Sequence, residues 1–162
     1  MFYKNSLPFI KADYIDKGLV KFVFRNYPLQ DFHDNAMISA IAGEIAHYHG
    51  KFWEMHDTMF KHANALEKED LINYAKEIGI EDPDMFGTWL DHGAFLMEIM
   101  DDIASGNDLG VAGIPTFFIN GEKVGGYRQY PEFKEIIEAH IPEPATLLLL
   151  GFGGLVCCVI GE

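Results

Sequence analysis

The dipeptide Asn120-Gly121, set between Thr116-Phe117-Phe118-Ile119 and Glu122-Lys123-Val124-Gly125, constrains this fold more than any other stretch. Two-residue hairpin turns that match the twist of their strands need positive φ at both central residues, which Asn and Gly adopt at least cost. Residues 116–126 therefore read as a β-hairpin. A second strand-like run, Leu19-Val20-Lys21-Phe22-Val23-Phe24, lies far upstream and is short, β-branched and aromatic. Between the two, apolar residues recur at helical spacing. A strand, several helices and then a hairpin is an α/β order with a helical insertion.

The helical stretches can be bounded from their patterns. Residues 2–16 carry Phe2, Leu7, Ile10 and Tyr14 on one face, with Pro8 inside as a kink and Gly18 as the stop. Asp34 or Asn35 can cap a helix bearing Met37, Ile38, Ile41, Ala42 and Ile45. Further helices are expected over Phe52–His62, Glu69–Glu77, Pro83–Leu90, Phe95–Ala104 and Pro131–His140, the last with Phe133, Ile136 and Ile137 inward.

Composition narrows the partners. The chain has 162 residues, 49% of them apolar and 14% aromatic, enough for a buried core in one domain plus a short appendage. Its 25 acidic and 12 basic residues leave a formal charge of −13, which repels phosphate backbones and excludes nucleic acid as a partner. No apolar signal-peptide core follows Met1.

Three clusters invite a chemical reading. His47, His49, His56 and His62 lie near Glu54 and Asp57, yet no His pair has i, i+4 spacing and His-x-His does not share a helix face. They read as a half-exposed helix face, with no metal and no cofactor expected. Phe52, Trp53, Met55, Met59 and Phe60 read as core in preference to a substrate groove. The two cysteines, Cys157 and Cys158, are adjacent, where a bridge closes a strained ring, and they sit in an apolar run that raises a thiol's pKa. They are not read as an active site.

Four segments in order resemble the DsbA-like disulfide oxidoreductases of the thioredoxin fold. They are the opening helix from Phe2-Tyr3-Lys4 to Gly18, then Lys21-Phe22-Val23-Phe24-Arg25-Asn26-Tyr27-Pro28-Leu29, Gly50-Lys51-Phe52-Trp53-Glu54-Met55-His56-Asp57, and Leu109-Gly110-Val111-Ala112-Gly113-Ile114-Pro115-Thr116-Phe117-Phe118-Ile119-Asn120-Gly121. The resemblance implies a thioredoxin-like α/β sheet with an inserted helical subdomain over residues 1–141, and thiol–disulfide exchange on extended or unfolded protein substrates outside the cytoplasm. It implies a substrate-binding loop at Gly113, Ile114, Pro115 and Thr116, with a cis Ile114–Pro115 bond. In that family a strand and a Cys-x-x-Cys motif stand directly before the opening helix, where the helix dipole lowers a thiol's pKa. No Cys-x-x-Cys occurs among these residues, so no catalytic residue is assigned and this chain alone is expected to be inactive in exchange. The alternatives are a non-catalytic peptide-binding module and a glutathione-binding transferase or isomerase branch of the same fold.

Pro142-Glu143-Pro144 followed by an apolar run resembles a PEP-CTERM sorting tail, so residues 142–162 are expected to be a separable appendage of an exported bacterial protein. At about 1.5 Å per residue, a helix over residues 145–160 spans roughly 24 Å, and membrane association is expected through it. The family's central strand is expected to be missing from the sheet. Direct closure of its two neighbours is the first expected repair, with strand donation by a second chain or insertion of the tail behind it; Gly151, Gly153 and Gly154 weigh against the tail.

Overall fold

A computed structural model describes residues 1–141 and the backbone of residues 155–160. The chain divides into two compact units, Met1–Arg25 with Gly106–Glu162, and Asn26–Ser105.

The first unit opens with two single turns, α1 (Phe2–Asn5) and α2 (Leu7–Ile10), and a π-helical turn, Lys11–Ile15. The expected single helix is thus broken. Pro8 has no N–H to give, and Ser6 leaves helical geometry at φ −120°. Ser6 is fully buried, and its hydroxyl donates to the Arg128 carbonyl at 2.9 Å, so the break is tied to the segment that leads into the last helix. The expected face survives the break: Phe2, Ile10 and Tyr14 are buried and Leu7 packs beside them.

Strand β1 (Val20–Arg25) follows, one residue later than the pattern indicates. The hairpin is β2 (Thr116–Ile119) and β3 (Glu122–Gly125), antiparallel, with Ile119 opposite Glu122. Its turn residues Asn120 and Gly121 have φ of 49° and 90°, the left-handed pair that the dipeptide supplies. The last helix, α8 (Tyr130–His140), starts in a reciprocal capping box between Gln129 and Glu132. Phe2, Phe117 and Phe133 form the centre of this core, with ring centroids 4.7 to 5.4 Å apart; Phe133 meets both other rings edge to face, and Phe2 and Phe117 are tilted.

A fourth strand, β4 (Leu155–Ile160), comes from the C-terminal segment, and the sheet order is β1-β4-β2-β3. β4 runs parallel to β1, with Val20 opposite Leu155, and antiparallel to β2, with Thr116 opposite Ile160. This corrects two expectations. The neighbours do not close on each other, and residues 155–160 do not project away as a helix; the tail fills the slot. The reason is backbone satisfaction: two facing rows of N–H and C=O groups need partners, at about 1–3 kcal/mol for each one left buried and unpaired. The three glycines that weighed against this lie ahead of the strand, not within it. The remainder of the expected 145–160 helix lies outside the described residues. Among the described residues no helix is long and apolar enough to cross a membrane.

The second unit is helical: α3 (Ala36–Tyr48), α4 (Phe52–Lys61), α5 (Lys68–Glu77), α6 (Pro83–Asp91) and most of α7 (Leu96–Asp108). Ile41, Ile45, Met55, Leu71, Phe86 and Ile99 are among its buried core. Asn35 stands at the N-cap of α3 but does not cap with its side chain, which donates instead to Glu67 at 3.2 Å. At α6 the capping is as a sequence rule would have it, with Asp82 accepting from the Met85 N–H at 2.8 Å and Pro83 opening the helix.

Candidate functional site: the loop before strand β2

The loop Gly113-Ile114-Pro115-Thr116 leads into β2 and is held from three sides. Thr116 is buried, and its hydroxyl donates to the Gly113 carbonyl at 2.6 Å, closing the loop on itself. The Pro115 carbonyl accepts from the Gly126 N–H at 2.9 Å, so the far end of the hairpin fixes it from the side. Upstream, the Val111 N–H reaches the Gly106 carbonyl at 2.9 Å, and Lys123 of β3 donates to the carbonyls of Leu109 and Gly110. The Ile114–Pro115 peptide is cis.

Gly113 is exposed, and a Cβ built there meets nothing within 4 Å. Ile114 and Pro115 are half-buried. The result is a rigid, uncharged ledge with open space above Gly113, placed where β4 ends: Ile160 is the residue opposite Thr116. Such a ledge holds no group that can take or give a proton. It can offer backbone groups to an extended chain. The structure brings all four expected loop residues together. Lys123 was not legible as part of the support, because a lysine on a β3 position facing solvent carries no pattern that points to a loop fourteen residues upstream.

In the same unit, α8 is locked to the π-helical turn. Tyr130 donates to Asp13, and Tyr14 donates to Glu138 at 3.1 Å. The Tyr130 hydrogen bond draws the Asp13 carboxyl below its ordinary range, and burial beside Glu138 pushes the Tyr14 phenol far up. Both phenols stay protonated and serve as donors, which is a structural role.

The histidines are scattered in kind. His56 is buried in α4, with its ring Nδ1 3.1 Å from Asp57 and the rings of Phe52, Trp53 and Phe60 around it. His62 stacks on Tyr74, His47 sits edge-on to Phe52, and His49 lies beside Tyr48 and Trp89. Among the described residues no three His, Cys, Asp or Glu side chains are grouped to hold a metal. Of the aromatic and methionine run, Met55 is wholly buried, Phe52, Met59 and Phe60 are half-buried, and Trp53 is exposed. In the same unit, the buried Asn26 joins two helices, its N–H donating to Asp102 at 2.9 Å and its side chain to Glu44 at 2.5 Å. Cys157 and Cys158 lie within β4, opposite Ile119 and Phe118 of β2.

Comparison with known proteins agrees with this architecture. A family model described as Thioredoxin matches residues 1–139, and one described as PEP-CTERM protein-sorting motif matches residues 140–161. The chain belongs to the thioredoxin family. Within it, this is a DsbA-like thioredoxin-fold protein with a PEP-CTERM tail. The crystal structure of oxidised BdbD from Bacillus subtilis superposes with a TM-score of 0.78 at 25% identity, covering 86% of this chain and 78% of that one. Among curated proteins, the Na(+)/H(+) antiporter NhaA 3 of Salinispora tropica is 35% identical over 119 residues, 74% of this chain. The NhaA antiporter of Herminiimonas arsenicoxydans is 34% identical over 120 residues. The chain spans only 18% and 19% of the length of these two relatives.

Proposed function

We propose that this chain is an extracytoplasmic polypeptide-binding module of the disulfide-exchange family, which holds extended or unfolded protein segments on the Gly113–Thr116 ledge. Membership of the thioredoxin family and the likeness to BdbD support disulfide exchange as the chemistry of the fold. The observation that carries the binding reading is the ledge itself: uncharged, closed by the Thr116–Gly113 bond, and open above Gly113. Exchange proceeds by thiolate attack on a disulfide through a mixed-disulfide intermediate, and needs an activated thiolate with a second cysteine nearby to resolve it. The cysteines among these residues are adjacent ones in the middle of a paired strand. The chain alone therefore binds without turning over. The antiporter relatives, which carry the matching segment as about a fifth of a longer chain, favour the same reading, since a module can lend binding to a larger assembly. The PEP-CTERM match over residues 140–161 supports reading residues 142–162 as a distinct segment and the protein as a sorted, extracytoplasmic one.

The test has two arms. In the first, the full chain is assayed for insulin reduction and dithiol oxidation against a Cys157→Ser/Cys158→Ser control; equal rates are expected, and turnover abolished by Cys157→Ser would make the tail cysteines catalytic. In the second, binding of a reduced, unfolded polypeptide is measured by fluorescence polarisation. Gly113→Phe, which builds a ring from the position where a Cβ meets no neighbour within 4 Å, is expected to abolish that binding at unchanged melting temperature. Undiminished binding by Gly113→Phe would remove the ledge from the account.

A further inference from the structure

We propose that the helical unit Asn26–Ser105 carries an interaction surface of its own, the exposed face of α7 together with the ring cluster ahead of it, and that its partner is a cationic amphipathic helical segment of another protein. This goes beyond the ledge and does not rest on it.

The apolar part is a stripe on one helix. Leu96, Met97 and Met100 are exposed, Met97 by 71%, while Ile99 of the same helix is fully buried. Spacings of three and four residues put Met100 beside both Leu96 and Met97. A helix shaped only by its own fold carries polar residues at such positions. Just ahead, Tyr48, Trp89 and Phe95 pack ring to ring with centroids 5.3 to 6.0 Å apart, yet Tyr48 stays 65% exposed. Phe95 has φ 62°, in the left-handed region that bulky side chains rarely adopt. The strained turn from α6 into α7 thus sets the ring cluster at the head of the apolar stripe. Rings offer contact area with few torsions to freeze, and methionines adapt to the shape laid on them.

Charge selects the occupant. Of the 25 acidic and 12 basic residues, 16 and four fall within Asn26–Ser105, a formal charge of −12, against −1 for the other unit. From Glu77 to Ser105 there are eight carboxylates and no Lys or Arg. Glu98 and Asp101 are exposed on α7 itself, and Asp101 stands one turn on from Met97. A second copy would bring the same negative charge to the contact, and an anionic membrane surface is repelled in the same way. A helix with Leu or Trp at i, i+3, i+4 and i+7 and Lys or Arg between them meets both demands. Its apolar anchors lie on Met97, Met100 and the rings, and its cations face Glu98 and Asp101.

The probe is a fluorescein-labelled peptide of about 15 residues, roughly four turns, with leucine and lysine at amphipathic helical spacing. It is titrated into the full chain and read by fluorescence anisotropy. Binding is expected, and raising salt from about 0.05 to 0.5 M should weaken it about tenfold. Met97→Ser/Met100→Ser and, separately, Glu98→Lys/Asp101→Lys should each weaken it about tenfold at unchanged melting temperature, because these side chains face solvent. The unaltered chain gives the same answer without a variant. Bound peptide should slow peroxide oxidation of Met97 and Met100, read by mass spectrometry, while oxidation of the exposed Met1 in the other unit is unchanged. Equal affinity for a peptide of the same composition with its leucines scattered around the helix overturns the inference. So does unchanged affinity in both double variants, or unaltered oxidation of Met97 and Met100 at saturating peptide. Self-association of the chain that shields the two methionines, or binding of neutral phosphatidylcholine vesicles in place of the peptide, assigns the surface to another occupant and equally overturns it.

Discussion

Ser6 shows how much one small side chain can settle. It is fully buried, and its hydroxyl donates to the Arg128 carbonyl. Ser6→Ala removes that donor and is expected to cost about 1–3 kcal/mol, read as a lower urea midpoint at constant m-value. His56 sets a different dependence. Burial holds its pKa below the ordinary 6.5, with Asp57 opposing. The neutral ring is thus favoured in the folded state, and the unfolded chain binds the extra proton first. Stability is unaffected above pH 6.5 and falls as pH drops below 6.5 toward the lowered folded pKa. His56→Gln should flatten that acid limb, checked by thermal melts at stepped pH; an unchanged slope would show that the titration lies elsewhere.

At the scale of elements, the hairpin was legible because its information is local. Asn120 and Gly121 are the residues that positive φ at both turn positions demands. Gly121→Val should cost roughly 1–2 kcal/mol through the left-handed conformation alone, with the same denaturation measurement as the check. The helices of the second unit were legible for a related reason: their apolar spacing and the stops between them are short-range. The opening helix was read correctly in its buried face and wrongly in its continuity, since Pro8 signals a break but nothing local shows that Ser6 would bond to a segment more than a hundred residues away. Asn35 failed as a side-chain cap because Glu67, remote in sequence, offered its amide a carboxylate. The ledge residues are singled out by family resemblance alone, whereas Lys123, which grips the carbonyls ahead of the ledge, left no local signal.

For the whole molecule, the decisive pairing joins the chain's last strand to its first and to the hairpin. Periodicity sees an apolar run at residues 155–160 and stays silent on whether it becomes a helix or a strand, or what it pairs with. What decides is a demand made by distant backbone: β1 and β2 each present an edge, and an apolar segment of strand length is the partner at hand. The account therefore turns on whether Leu155–Ile160 is a seated central strand. Native-state amide hydrogen exchange on the full chain tests this directly. The expected result is protection at residues 155–160 of the same order as that in Val20–Arg25 and Thr116–Ile119. Exchange at unprotected rates in 155–160, with β1 and β2 still protected, would contradict it.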